Sequence, residues 1–269
     1  MSPGRIVSWA LLAAIAAAAL LPGLITSAPY GVQFREHINE PPSRQFPLGT
    51  DDLGRDRLSR LLHGARISLL LAPAAALLST LLAGLVGGAG GYLARGAAVS
   101  VGVAIDLFLS LPWLFLLLTV RAMLPLNTTP VVSVAITFGL LGVLGWAAPA
   151  RVVQAGTRSL ARSEFALQAR AAGSTGGRLL VRHLLPNLKP ILVAQFWTAV
   201  PVYILSEANL GLLGLGVSEP LPSLGNLLRE LETYPAAPER VWVLAPALLL
   251  VTILACLHGV LPRAEGVQS

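Results

Sequence analysis

The sequence predicts an all-α, polytopic membrane protein with six transmembrane helices. Of its 269 residues, 55% are hydrophobic and only 12% are charged, and the mean hydropathy is +0.72. A soluble domain carries charges on roughly a quarter of its residues. This chain has too few charged residues to cover so large an apolar fraction, so we do not expect a soluble protein. The apolar residues also form uninterrupted runs that are too long and too uniform for the alternating strands of a membrane barrel.

Composition excludes several other classes of protein. Disordered chains are poor in apolar residues, which does not fit this composition. The single cysteine, Cys256, has no partner in the chain, so the protein is not a disulfide scaffold. The sequence pI of about 10.4 would suit a nucleic-acid-binding protein. However, the basic residues are spread between apolar runs and form no compact basic domain, so we expect no nucleic-acid partner.

Six runs are long enough to cross a bilayer, because a helix covers the hydrocarbon core of about 30 Å with about 20 residues. The runs comprise residues 6–25, 67–94, 96–120, 122–150, 190–206 and 241–262. Asp106 is the one charge inside the third run. We expect Pro73, Pro112 and Pro201 each to kink the helix in which they lie.

The first run has two interpretations. Arg5 at its start and the small residues Thr26, Ser27 and Ala28 after it resemble a cleavable signal peptide. The apolar stretch is long for a signal peptide, and Pro29 directly follows the candidate cleavage site. We therefore expect a retained signal-anchor helix.

Six spans place both termini on one side of the membrane. With cytoplasmic termini, the inner segments hold ten basic residues and the outer segments nine. Segment 26–66 supplies six of those nine, and it also holds five acidic residues; without it the ratio is ten to three. Because cytoplasmic loops carry an excess of Lys and Arg, we expect both termini to be cytoplasmic.

The runs divide the chain into three parts. Residues 1–66 are expected to form the first membrane helix and an extracytoplasmic segment, residues 67–262 the core transmembrane domain, and residues 263–269 a short tail. Within the second span, Gly84 with Gly88 and Gly87 with Gly91 form two small-xxx-small pairs. Such pairs let helices approach closely, and we expect packing within the chain rather than a dimer face.

The chemistry of a catalytic or metal site is missing. Lys189 is the only lysine and lies in no phosphate-binding loop, so the chain is not itself an ATPase. The four histidines match no metal-ligand spacing, and segment 173–176 is not a nucleophile elbow. We therefore predict no catalytic residue, no metal and no bound cofactor. A membrane-embedded enzyme is the alternative, and it would need a nucleophile and base that converge near Asp106 or His258.

Polar residues inside the spans are few. A charge at the position of Asp106 is costly unless it is paired or faces water. Asp106 could line a translocation path, or it could be a hydrogen-bonded partner within the helix bundle, and the sequence leaves both open. Glu207 and Asn209 lie near the end of the fifth span, where an interfacial structural role is expected.

Segment 151–189 carries seven basic residues and one acidic residue, Glu164. Residues 160–172 read as a short helix ended by Gly173, which can adopt a left-handed cap. Ser174 can cap a second helix that has Leu180, Leu184 and Leu185 on one side and ends before Pro186. Two short helices joined at a glycine beneath the membrane would give a soluble partner something to bind.

Three stretches carry a family resemblance that covers about residues 5–262. Residues 164–173 (EFALQARAAG), followed by 182–187 (RHLLPN), resemble the "EAA" coupling loop of binding-protein-dependent ABC transporter permeases with a MetI-like transmembrane fold. Residues 47–69 (PLGTDDLGRDRLSRLLHGARISL) resemble the segment before the second span in the dipeptide/oligopeptide/nickel class. Residues 206–216 (SEANLGLLGLG) and 222–225 (PSLG) are similar to the same class after its fifth span.

The resemblance implies an ABC importer permease subunit in the bacterial plasma membrane that carries peptides or similar small solutes. It also implies four kinds of neighbour: a homologous second permease subunit, two cytoplasmic ATPase subunits that bind the ATP, an extracytoplasmic solute-binding protein and the lipid bilayer. Carried over residue by residue, the resemblance implies that seven residues couple the permease to the ATPases: Glu164, Ala169, Arg170, Gly173, Arg178, Leu185 and Pro186.

The coupling loop departs from the family pattern in one place. Where the family has Glu-Ala-Ala, this chain has Leu167, Gln168 and Ala169. A degenerate permease that assembles but couples weakly is therefore one alternative function. A secondary transporter or channel that works without ATPase subunits is another.

Overall fold

The computed structural model describes residues 3–26, 28–93, 95–125, 128–174, 176–233 and 238–260. The described chain is almost entirely helical. Its α-helices are α1 (Pro3–Leu20), α2 (Arg57–Tyr92), α3 (Arg95–Ser110), α4 (Trp113–Met123), α5 (Pro130–Leu144), α6 (Ala147–Ala161), α7 (Glu164–Ala171), α8 (Gly176–Leu179), α9 (Leu185–Leu212), α10 (Leu224–Thr233) and α11 (Ala245–Val260). Short 3₁₀ helices cover Pro22–Leu24 and Pro238–Leu244, and a π-helical turn covers Leu180–Leu184.

Five helical segments of the described chain are long and apolar enough to cross a membrane, and a bent pair could add a sixth. The five segments are Pro3–Leu20, Arg57–Tyr92, Pro130–Ala161, Gly176–Leu212 and Val241–Val260. The predicted third run is the bent pair, because α3 and α4 meet at 81°. The break falls at Pro112, which has no N–H to donate and disfavours helix at the residue before it. By contrast, α2 continues through Pro73 and α9 through Pro201.

Several basic residues lie in helices rather than in the loops predicted from the sequence. Arg121, expected between two spans, lies in α4 and is buried. Helix α2 begins at Arg57, about ten residues before the predicted span. The N–H of Leu58 donates to Asp56 Oδ1 at 3.0 Å, so Asp56 fills the N-cap position and fixes this start.

The chain forms two compact units. The first comprises residues 1–72, 124–137 and 201–269, and the second residues 73–123 and 138–200. In the first unit, α1 packs along α11. At one end of this pair, Arg5 Nη2 donates to the carbonyl of Val260 at 3.5 Å.

Also in the first unit, segment 217–228 packs tightly against α2 and α9 at glycines. A Cβ on Gly211 would lie 2.4 Å from the Cα of Gly225, and one on Gly64 would lie 3.1 Å from the backbone of Ser223. These approaches leave no room for a side chain. Gly64 and Gly211 therefore allow the family-like stretches 47–69 and 206–216 to pack closely against residues 222–225.

In the second unit, α2 packs against other helices of the chain through the four glycines of the two predicted small-xxx-small pairs. Gly87 and Gly91 face α6: a Cβ on either would come within 2.5 Å of atoms of Ala150 or Thr157. Gly84 and Gly88 face leucine side chains of α9. The prediction of packing within the chain is confirmed. Nearby, Ala83, Ile105 and Ala150 form a fully buried apolar layer.

Candidate functional site

The predicted coupling segment contains a tightly closed turn. The N–H of Gly173 donates to the carbonyl of Arg170, and the N–H of Ser174 to the carbonyl of Ala169, both at 2.9 Å. Gly173 has φ +86°. Together these features form a Schellman motif that ends α7, which confirms the left-handed cap predicted from the sequence. The helix before it is divided, however: α6 ends at Ala161 and α7 begins only at Glu164.

The second half of this segment differs from the prediction. Helix α8 begins at Gly176, next to position 175, which lies outside the described residues, so the proposed cap by Ser174 is not described. The helix does not end before Pro186: it passes through a π turn, where the N–H of Leu185 donates to the carbonyl of Leu180, and continues as α9. The wider π turn accommodates the proline ring, which would clash in regular α-helix.

The coupling residues inferred from the resemblance are mostly on the surface of the second unit. Ala169 is half-buried, and the other six are exposed: Glu164, Arg170, Gly173, Arg178, Leu185 and Pro186. The side that packs inward consists of Ala166, Leu179 and Leu184, all with no exposed area. The sequence reading placed Leu185 on that side and missed Leu179, because the π turn shifts which side chains share a face.

Asp106 pairs with a residue that the sequence reading placed in a cytoplasmic segment. Arg151 lies inside α6, and its Nη2 contacts Asp106 Oδ1 of α3. Both alternatives for Asp106 remain compatible with this pair, because its side chain has an ionic partner and is still 60% exposed. The Arg151 side chain is 38% exposed.

A buried glutamine that sequence reasoning missed positions Arg151. Gln154 Oε1 accepts a hydrogen bond from Arg151 Nη1 at 3.2 Å. Its Nε2 donates to the carbonyls of Gly90 and Ala98, both at 3.3 Å. Gln154 is 1% exposed, so its amide is held by α2 and α3 while it orients the arginine of α6. The only sequence clue was a polar residue one turn after Arg151, at the start of the basic segment 151–189.

The first unit contains a buried ionic network, which sequence reasoning also missed. Asp51 accepts hydrogen bonds from Arg55 Nε and Arg60 Nη1, both at 2.6 Å, and from the N–H groups of Leu53 and Arg55. Glu219 receives one hydrogen bond from Arg55, at 2.8 Å, and one from Arg60, at 3.0 Å. The network joins the family-like stretch 47–69 to Glu219, which follows α9 and lies between the family-like stretches 206–216 and 222–225.

Two further glutamates of the first unit belong to the same region. Glu207 is fully buried and accepts a hydrogen bond from Ser68 at 3.1 Å, so it braces α9 to α2, in keeping with the structural role expected from the sequence. Glu230 accepts a hydrogen bond from Arg57 at 2.8 Å. Burial raises the pKa of Glu230 to about 7, although Arg57 favours the ionised form.

Among the described residues, no three His, Cys, Asp or Glu side chains come together in a way that could hold a metal ion.

Comparison with known proteins fits the membrane architecture described above. Residues 80–262 match the family described as "Binding-protein-dependent transport system inner membrane component". The chain is 33% identical, over 248 residues, to the oligopeptide transport system permease protein OppC of Mycobacterium tuberculosis, covering 92% of this chain and 83% of the relative. It is 35% identical, over 240 residues, to the di/tripeptide transport system permease protein DppC of Pseudomonas aeruginosa, covering 85% and 76%. This multi-pass membrane protein therefore belongs to the family of binding-protein-dependent transport system inner membrane components.

Proposed function

We propose that this chain is the permease subunit of an ABC importer that moves peptides or similar small solutes across the plasma membrane. The relatives named as oligopeptide and di/tripeptide permeases support peptides as the substrate class. The chain itself hydrolyses no ATP and binds no cofactor in this proposal. Its partners are a second permease subunit, two cytoplasmic ATPase subunits and an extracytoplasmic solute-binding protein, and both of its termini are cytoplasmic.

The observation that carries the mechanism is the exposed surface of segment 164–186. Glu164, Arg170 and Arg178 project from two short helices, while Ala166, Leu179 and Leu184 fix those helices to their own unit. A partner bound to such a surface can transmit force because the surface cannot move separately from its buried side. Closure of the ATPases on ATP would displace this segment and shift the transmembrane helices between two states of access.

Six of the seven proposed coupling residues have roles that follow from their positions. Gly173 closes the turn between the two helices, and Arg170 and Arg178 offer charged donors on either side of it. Ala169 leaves room for close approach of the ATPase, and Leu185 and Pro186 set the direction in which the chain enters α9. The exposed Leu167 offers an apolar contact where the family pattern has glutamate.

Purification in mild detergent from the native host tests the assembly. Tagged chain should recover two ATPase subunits and a sister permease, identified by mass spectrometry. The purified complex in proteoliposomes, with its binding protein, should then take up labelled trialanine only in the presence of ATP. Recovery of the chain alone, under conditions that preserve other ABC complexes, would favour an ATP-independent transporter or channel instead.

A further inference from the structure

The positive charge of this protein is concentrated in the second unit. That unit contains nine lysine and arginine residues but only two acidic residues, Asp106 and Glu164. Among the described residues, the one ion pair of this unit joins Asp106 to Arg151. The unit therefore has an excess of positive charge that its own carboxylates do not balance, and such an excess attracts anionic ligands from outside the chain.

Two of these arginines line a depression at the end of α6. The depression has a volume of about 520 Å³ and is lined by Ala155, Arg158, Ser159 and Arg162, all of them exposed. Arg158 is held from one side, because its Nη2 donates to the carbonyl of Ala98 in α3 at 3.4 Å. A guanidinium group has five N–H donors, so Arg158 keeps other donors for a ligand. The depression therefore offers two guanidinium groups and a hydroxyl to an oxyanion.

One exposed face of α6 changes from apolar to polar along the helix. Five exposed residues lie within an arc of about 80° around the axis at 3.6 residues per turn: Ala148, Val152, Ala155, Ser159 and Arg162. The first three are apolar, and the last two line the depression together with Arg158. The opposite side of the helix is buried, with no exposed area at Val153 or Thr157. The exposed face thus offers apolar contacts along most of its length and charged donors at its end.

This change coincides with the end of a segment that suits a membrane. Residues Pro130–Ala161 are long and apolar enough to cross a bilayer. An arginine near the end of such a segment extends its charge toward the lipid headgroups, because hydrocarbon does not solvate it. A phospholipid matches both parts of the face, since its acyl chain is apolar and its phosphate is anionic. A soluble partner would match only the basic end.

We propose that Arg158, Ser159 and Arg162 bind the phosphate group of an anionic phospholipid whose acyl chain lies along Val152 and Ala155. The planar guanidinium groups donate to the phosphate oxygens, and the serine hydroxyl supplies one further donor. A basic depression beside a membrane helix is a typical site for an anionic headgroup. A zwitterionic headgroup binds less well, because its ammonium group is repelled by the two arginines. The site does not depend on which solute the protein transports.

Native mass spectrometry tests the preference for an anionic lipid. The full-length chain is purified in mild detergent with the subunits that remain bound, and is mixed with equal amounts of dioleoyl phosphatidylglycerol and dioleoyl phosphatidylcholine. These lipids share their acyl chains and differ in their headgroups. The wild type should retain more phosphatidylglycerol than phosphatidylcholine. Each of Arg158→Gln and Arg162→Gln should reduce this preference about fivefold, and the double variant should reduce it further.

A control variant separates a specific site from a general effect of charge. Arg182→Gln/Lys189→Gln also removes two positive charges from exposed positions of the second unit, but neither residue lines the depression. This variant should keep most of the wild-type preference. Equal losses in the two double variants, or a wild type without any preference, would overturn the proposal.

A conservative variant guards against a loss that reflects damage to the fold. Arg158→Lys/Arg162→Lys keeps both charges and should retain a clear preference for phosphatidylglycerol, because lysine also binds phosphate. If this variant lost the preference as completely as the glutamine variant while eluting as the same well-folded species, charge at these positions would not be what recognises the lipid, and the proposal would fail.

Water-soluble phosphates distinguish a lipid site from a site for free phosphate. Inorganic phosphate and glycerol phosphate carry the same oxyanion without acyl chains, so a large excess of either should not displace phosphatidylglycerol from the wild type. Displacement would indicate a site for soluble phosphates and overturn the lipid assignment. Loss of a co-purifying subunit from Arg158→Gln/Arg162→Gln, with the lipid preference unchanged, would instead identify a protein-binding surface. None of these outcomes depends on peptide uptake, so failure of this site and failure of the proposed function are separable.

Discussion

The two ionic clusters of this protein differ in how completely their charges are satisfied. In the first unit, Asp51 has no exposed side-chain area and accepts four hydrogen bonds, two of them from Arg55 and Arg60. In the second unit, Asp106 has Arg151 as its ionic partner and keeps most of its side chain exposed. In the first cluster Asp51, Arg55 and Arg60 are buried and only Glu219 is exposed, whereas both charges of the second cluster are partly exposed.

The difference separates residues that maintain the fold from residues that are available for function. A buried charge without its partner is strongly destabilising, so the ion pairs of Asp51 with Arg55 and Arg60 serve to maintain the fold. An exposed charge loses less when its partner leaves, because solvent or a ligand can replace that partner. The surface around Gly173 is similarly open, and its side chains are equally free to contact another protein.

The largest effect on stability is expected at the closed network. Asp51→Ala removes the acceptor shared by Arg55 and Arg60 and leaves two buried guanidinium groups with fewer partners. The free energy of unfolding should fall by about 3–5 kcal/mol. Thermal unfolding of the purified chain in detergent measures this loss.

Asp52→Ala is the matched control for this prediction, because the neighbouring Asp52 is exposed. Its midpoint temperature should stay within a few degrees of the wild type, as surface substitutions usually do. If Asp51→Ala unfolded at the same temperature as Asp52→Ala, the distinction between a closed and an open cluster would not hold.

A smaller loss of stability but a specific loss of function is expected at the exposed turn. Gly173 has φ +86°, a conformation that a β-branched side chain adopts at a cost of roughly 1–2 kcal/mol, although there is space for the added atoms. Gly173→Val should therefore leave membrane insertion intact and abolish most solute-stimulated ATP hydrolysis in the reconstituted complex. Normal stimulated hydrolysis by this variant would exclude Gly173 from coupling.

Gly173→Asn provides the control for the backbone argument. Asparagine tolerates the left-handed conformation better than any β-branched residue does, so this variant should retain most of the stimulated ATPase activity. Loss of activity in both variants would instead indicate that the partner requires the absence of a side chain at this position.

A pH-dependent change in stability is expected from titration of Glu230, at the edge of the network around Asp51. Its pKa is raised to about 7 in the folded protein, mainly by burial, against an ordinary value of 4.5. Below about pH 4.5 the carboxyl is protonated in both states; between 4.5 and 7 the folded protein keeps a proton that the unfolded chain has lost. The free energy of unfolding should therefore decrease as the pH rises through this window and be insensitive to this group above it.

Thermal unfolding at pH 5 and pH 8 measures this dependence. In Glu230→Gln, the difference in midpoint temperature between the two pH values should become smaller than in the wild type. An unchanged difference would show that Glu230 titrates near its ordinary pKa.

Local patterns predicted much of the fold and part of the candidate site. The apolar runs located the membrane helices, and Gly173 marked the end of α7, because both depend on residues close in the chain. The glycines of α2 correctly indicated close helix packing. The sequence predicted only a kink at Pro112, but the helix breaks there. Helices α2 and α9 continue through Pro73 and Pro201, so the effect of a proline depends on the packing around it.

Contacts between distant residues could not be predicted. Arg151 looked like one of seven basic residues in a cytoplasmic segment, because nothing near it in the sequence indicates that Asp106 lies beside it. Gln154 is equally inconspicuous, and its role depends on carbonyls of α2 and α3. The π turn before Pro186 changed which leucines are buried. A helical pattern with a constant period cannot predict this change, because the period differs within the π turn.

The sequence by itself determined that this protein is a helical, multi-pass membrane permease, because hydropathy and spacing act over segments of about 20 residues. It also determined where the turn at Gly173 lies, because the Schellman cap depends on a few neighbouring residues. Only the tertiary structure decided which charges are closed in a network and which remain open, since partners such as Asp51 and Glu219, or Asp106 and Arg151, are separated by tens to hundreds of residues. Pairing across such distances is set by how the helices pack, and that packing reflects the whole chain at once.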